Sequence, residues 1–133
     1  MPIFRAKLMS ALYYLLEQHP YGLKGEGWDV DKLCTNSQLP WQYIREHPEG
    51  IYSLFNGELK LVEWNWNYLS WRGDLDWQLV IDFSDKDWNW ECLSKRGDLD
   101  WQLVRDFSDK NWNWNYLSEH SNPDWSLIRD FSD

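Results

Sequence analysis

A 24-residue period governs the second half of this chain. The phrase Trp64-Asn65-Trp66-Asn67-Tyr68-Leu69-Ser70 returns as Trp88-Asn89-Trp90-Glu91-Cys92-Leu93-Ser94, and again as Trp112-Asn113-Trp114-Asn115-Tyr116-Leu117-Ser118. Each phrase leads to a further tryptophan (Trp77, Trp101, Trp125) and a closing Asp-Phe-Ser-Asp. The first two copies agree at 19 of 24 positions. Such self-similarity dictates stacked equivalent units rather than one irregular core.

The apolar spacing inside a unit selects helix. In Trp125-Ser126-Leu127-Ile128-Arg129-Asp130-Phe131 the apolar residues pair as 125/128, 127/131 and 128/131, which are helical neighbours. A half-buried strand would instead put Arg129 on the apolar face. Asp76, Asp100 and Asp124 precede these segments and predict N-terminal caps. The first half alternates like a strand, but Trp114/Leu117 and Trp112/Tyr116 are also helical pairs. We expect a second short helix there, capped by Asp85 or Asp109 and closed by a left-handed Gly73 or Gly97. The expected architecture is mainly α: a short α-solenoid of αα-hairpin units, with three tandem units over 64–133. Trp64, Trp66, Trp77, Trp88, Trp90, Trp101, Trp112, Trp114 and Trp125 are then the residues that hold the stack.

Residues 1–63 read as a capping segment with one diverged unit. Trp28-Asp29-Val30 and Leu39-Pro40-Trp41 keep the Trp-to-Trp offset of Trp64 to Trp77, and Leu33 keeps the leucine. Pro40 suits the start of a helix, and His47-Pro48 with Gly50 stops it. Around Asn56-Gly57 the sequence has the form of a β-hairpin over 51–63, a helical alternative surviving through Leu59/Val62. Residues 2–18 predict an amphipathic capping helix with Ile3, Phe4, Leu8, Leu12, Leu15 and Leu16 on its buried stripe.

The units resemble the tandem Trp-rich repeats in proteins of giant amoeba-infecting viruses. The resemblance rests on Trp-Asn-Trp-x-x-Leu-Ser, the segment Gly-Asp-Leu-Asp-Trp-Gln-Leu-Val, and Asp-Phe-Ser-Asp-Lys before the next Trp-Asn-Trp, and it covers residues 64–133. That family has Asn-Pro-Asn-Leu-Thr-Trp where this chain has Arg72 to Trp77, and Asp-Asn-Pro-Asp-Lys-Pro-Trp where it has Asp82 to Trp88; the prolines are missing here. The resemblance implies helical repeats, protein interaction, no transferable catalytic residues, and a place in host cytoplasm or virion.

Departures from the repeat point to function. Trp71 aligns with Lys95 and Glu119, and Ile81 with Arg105 and Arg129, so two normally solvated sites turn apolar in the first unit. They pack on the N-terminal segment, or they form a patch for a protein partner that Arg105 and Arg129 continue as charge. The formal net charge of -9 opposes direct nucleic-acid binding. It leaves open an acidic mimic that blocks a nucleic-acid-binding protein. No run is long enough to span a bilayer, and residues 8–16 lack a signal-peptide cleavage site.

Two cysteines form no disulfide framework, and Cys92, in a tyrosine position, reads as a small buried hydrophobe. Free thiols fit a reducing, cytoplasmic setting. His19, His47 and His120 lie at expected helix ends and suit carbonyl capping better than metal binding. Asp82, Asp85 and Asp87, with Asp106 and Asp109, offer oxygens for calcium but match no EF-hand loop. A carbohydrate-binding module using the Trp-Asn-Trp phrase is an alternative to the protein-interaction scaffold. The expectation is a non-catalytic, cofactor-free chain, with self-association through the last unit left open.

Overall fold

The computed structural model describes residues 10–120 and 122–131. Among them the chain is mostly helical, with nine short helices and one two-stranded antiparallel sheet. In chain order these are α1 (Ala11–Gln18), α2 (Val30–Thr35), α3 (Trp41–Glu46), β1 (Ile51–Phe55) and β2 (Glu58–Val62). Then come α4 (Trp66–Ser70), α5 (Trp77–Asp82), α6 (Trp90–Ser94), α7 (Trp101–Asp106), α8 (Trp114–Ser118) and α9 (Trp125–Phe131). Helices of five or six residues fall far below the roughly 12–15 that hold in water alone, so their contacts with neighbours must stabilise them. Among the described residues no helix is long and apolar enough to cross a membrane.

The first helix of each unit starts later than the apolar spacing suggests. Asn65, Asn89 and Asn113 are its caps, and each side-chain oxygen accepts from the N–H three residues on, at Tyr68, Cys92 and Tyr116. Asp85 and Asp109 therefore do not cap it, and Trp64, Trp88 and Trp112 lie just outside it. Gly73 and Gly97 do not adopt the left-handed conformation expected of them, since the glycines with positive φ are Gly22, Gly25, Gly50 and Gly57. The helices close instead on Trp71, Lys95 and Glu119 in right-handed geometry. Asp76, Asp100 and Asp124 cap the second helices as expected.

Asparagine rather than aspartate at the first cap has a physical reason. Its amide is left free to donate to the unit before: Asn65 Nδ2 to Asp31 (3.1 Å), Asn89 Nδ2 to Asn67 (2.7 Å), Asn113 Nδ2 to Glu91 (3.3 Å). The closing serine makes the second link. Ser70 Oγ donates to Trp66 O and accepts from Asn89 N at 2.9 Å; Ser94 Oγ donates to Trp90 O and accepts from Asn113 N at 2.9 Å. Both serines are fully buried. In the diverged unit Cys34 takes the serine's place, and its Sγ accepts from Asn65 N at 3.3 Å. Through these links α2 lies against α4, α4 against α6, and α6 against α8.

Indoles make the apolar part of the same junctions. Trp66 meets Trp88 at 4.9 Å between centroids, and Trp90 meets Trp112 at 5.1 Å, both tilted or edge-on as aromatic quadrupoles prefer. The leading tryptophan of each unit also closes the preceding helix. Trp64 Nε1 donates to His47 O, Trp88 Nε1 to Phe83 O and Trp112 Nε1 to Phe107 O, over 2.6–2.9 Å. Trp28 Nε1 does the same to His19 O at 2.8 Å, which makes α1 the helix that precedes the diverged unit.

The capping helix is shorter than expected. Ile3, Phe4 and Leu8 lie outside the described residues. In α1, Tyr13 and Leu16 are buried and Leu12 partly so, whereas Leu15 is exposed. Tyr13 takes its place because its hydroxyl donates to Glu46 and its ring packs edge-on against Tyr43.

The hairpin forms as Asn56-Gly57 predicts. Both turn residues have positive φ (52° and 81°), the two-residue geometry that matches strand twist. Register pairs Ile51 with Val62 and Phe55 with Glu58. Gly50, at φ 108°, is required where the chain enters β1, because a Cβ there would sit 2.0 Å from Val62 O. Trp28 and Trp64 stand 36 residues apart instead of 24, and the twelve extra residues are 51–62. The hairpin is thus an insertion between two units.

Candidate interaction surface

Trp71 is the residue that follows and caps α4, in right-handed geometry. Trp71 is 59% exposed and Ile81 41% exposed, so neither is buried against the described part of the N-terminal segment. Beside Trp71 lie Tyr68, also exposed, and a cleft of about 400 Å³ lined by Thr35, Ser37, Tyr68, Trp71, Arg72, Gly73 and Asp74. Lys95 Nζ stands 6.0 Å from the Trp71 ring and 4.3 Å from the Tyr116 ring, within range of attraction by both aromatic faces. Ile81 is not among the residues that line the cleft.

Arg72 forms the floor of this region and was not anticipated from the sequence. Its guanidinium is buried, forks onto Asp74 through Nε (2.9 Å) and Nη2 (2.8 Å), and lies 4.5 Å over the Trp41 ring. Arg96 repeats the fork with Asp98 and stands 6.0 Å from Trp77; His120 takes the place in the last unit, edge-on to Trp101. Arg96 Nη1 also reaches back to Arg72 O (2.8 Å) and Ser70 O (3.4 Å), and His120 Nε2 to Ser94 O (2.7 Å). Among the described residues Arg72 Nη1 has no such partner. The clue in the sequence was the alignment of Arg72, Arg96 and His120, three residues able to donate toward a carbonyl.

Arg105 and Arg129 fall on the second helices, not on the Trp71 cleft. Arg105 approaches Asp124 of the next unit at 3.7 Å, and Arg129 lies beside Asp130 at 3.4 Å with its side chain 78% exposed. Arg45, at the same position of the diverged unit, pairs with Asp82 at 2.7 Å. That hydrogen bond, helped by Gln78, holds the Asp82 carboxyl below its ordinary range. Ile81 thus replaces a residue that elsewhere reaches a carboxylate on a following segment.

The nine tryptophans expected to hold the stack divide by position. Trp64, Trp66, Trp88, Trp90 and Trp112 are buried, and Trp77, Trp101 and Trp114 partly so. Trp125 is the exception, at 62% exposed. Trp41, Trp77 and Trp101 are each covered by Arg72, Arg96 or His120 of the following unit, and among the described residues none stands over Trp125 in this way. Burial removes most of the Trp-Asn-Trp faces from solvent, which leaves Trp71 and Trp125 as the exposed indoles.

Cys34, Cys92 and Asp98 are tied into the scaffold. Burial pushes the Cys34 thiol up to about 11 and raises Cys92 as well. Asp98 is pushed up by burial but pulled down further by its hydrogen bonds to Arg96, and ends below the ordinary carboxyl range. No group of three or more His, Cys, Asp or Glu that could hold a metal ion occurs among the described residues. No protein-family model matches the chain, no curated protein matches it, and no solved structure matches it.

Proposed function

We propose that this chain is a short α-solenoid whose Trp71 face recognises a protein partner, without catalysis and without a cofactor. Repetition of the same serine, asparagine and indole contacts at successive junctions supports the solenoid. One observation carries the recognition: a tryptophan stands 59% exposed at a position filled by Lys95 and Glu119 in the other units. A large indole left in water beside Tyr68 and a cleft has the composition of an interface anchor. Packing does not require it, because Lys and Glu serve the same backbone position.

The test replaces Trp71 by Lys. Quantitative pull-down with the wild-type chain should recover a partner that the variant loses, while the melting temperature stays within about 2 °C, as for a surface substitution. A fall of more than about 5 °C would return Trp71 to the core and end this reading. The Thr35, Ser37 and Asp74 groups around the cleft also suit a sugar stacked on Trp71. Oligosaccharides that quench indole emission in the wild type and not in Trp71→Lys would favour that alternative.

A further inference from the structure

The inserted hairpin is the feature that the repeat does not explain. One of its edges is covered: Leu54 N donates to Tyr21 O at 3.1 Å, and Gly27 packs so closely on Leu54 that a Cβ would meet its carbonyl at 2.3 Å. The other edge, β2, pairs only with β1 among the described residues. In a hairpin closed by two residues, Phe55 and Glu58 exchange hydrogen bonds, and so do Ser53 and Lys60. The N–H and C=O groups of Leu59 and Leu61 therefore point away from β1. The side chains of both leucines are 47% exposed and share a face with Tyr52, 53% exposed. An open edge carrying an apolar row is a template for another strand.

We propose that the chain self-associates through β2, two hairpins pairing antiparallel about Leu59 into one four-stranded sheet. The charges choose both partner and register. With Leu59 opposite Leu59 of the second copy, Glu58 faces Lys60 and Lys60 faces Glu58, two unlike pairs at sites between hydrogen-bonded pairs where side chains approach closest. Sliding by one pleat puts Lys60 against Lys60, which like charge opposes. Lys60 thus does not simply blunt the edge; it excludes one register and satisfies the other. In the favoured register the shared strand runs over residues 57–61, close to the turn, so the helical bodies lie at opposite ends of it. The pairing covers few residues, so the association belongs to the weak, transient class.

Sedimentation velocity over a concentration series into the millimolar range reads the outcome. The wild type should show a monomer–dimer equilibrium. Glu58→Lys alone and Lys60→Glu alone should each weaken it by about tenfold, since each converts two attractive pairs into repulsive ones. The double variant Glu58→Lys/Lys60→Glu should restore wild-type affinity. All four proteins should keep the same circular dichroism, as both positions are exposed. A wild type that stays monomeric, a dimer indifferent to the single exchanges, or a double variant that is not rescued would each overturn the proposal.

Discussion

Replacing Ser94 by Ala removes a single oxygen at the junction between two units. Ser94 Oγ is fully buried, donates to Trp90 O and accepts from Asn113 N. Alanine leaves the Asn113 N–H facing a methyl group, and an unsatisfied donor in such a place costs about 1–3 kcal/mol. Taking about 2 kcal/mol and about 3–4 °C per kcal/mol for a chain of this size, the melting temperature should fall by roughly 6–8 °C. Ser118 supplies the control. Its Oγ donates to Trp114 O at 2.8 Å, but among the described residues it accepts from no following asparagine. Ser118→Ala should cost less than about 1 kcal/mol, and Ser94→Cys should fall between, since Cys34 shows that sulfur can accept this bond at greater length. Differential scanning calorimetry on the three variants decides the matter. Equal losses at Ser94 and Ser118 would refute the inter-unit bond as the cause.

Three other outcomes follow from the same contacts. Trp90→Ala should cost about 3–5 kcal/mol in chemical denaturation because the ring is buried between units, whereas Trp125→Ala, at an exposed ring, should change stability by less than about 0.5 kcal/mol. Cys34, lifted from 9.0 to about 11, favours the neutral thiol in the folded state. Its contribution is complete below pH 9 and is lost as pH rises from 9 toward 11; alkylation at neutral pH should proceed no faster than unfolding, and rapid labelling of native protein would contradict the burial. Asp98 and Asp82 are depressed, so their contributions are present above the ordinary carboxyl range and fade as pH falls through their folded values. Acid titration followed by circular dichroism should show no loss between pH 7 and 5 and a loss beginning near or below about 4, smaller in Asp98→Asn.

Much of the helical pattern was legible because the repeat averages away accidents. Three copies of Asp before Trp-x-Leu marked the caps of the second helices, and Asn56-Gly57 favoured the hairpin over the helical alternative. The first helix was misjudged at both ends for one reason. Period alone cannot separate Trp64 from Trp66, since both are buried; what separates them is that Asn65 caps the turn while the Trp64 indole closes the helix before it. Gly73 and Gly97 suggested left-handed closure, yet Trp71 and Lys95 end the helices without it. Trp71 stood out because its equivalents are charged, whereas its exposure is a matter of tertiary packing. Arg72 was hidden because arginine ordinarily means surface. Only the fork to Asp74 and the Trp41 face beneath it make burial affordable.

The central claim is that successive Trp-rich units are joined by the amide of a capping asparagine bound to the serine of the unit before. Amide hydrogen exchange measured residue by residue by NMR addresses it most directly. An N-cap amide has no acceptor inside its own helix and in an isolated helix exchanges at once. Here the Asn89 and Asn113 amides should be protected to the same degree as Leu93 and Leu117 in the helices that follow. If those two amides exchange within the dead time while Leu93 and Leu117 remain protected, the helices exist but the units are not joined in this way.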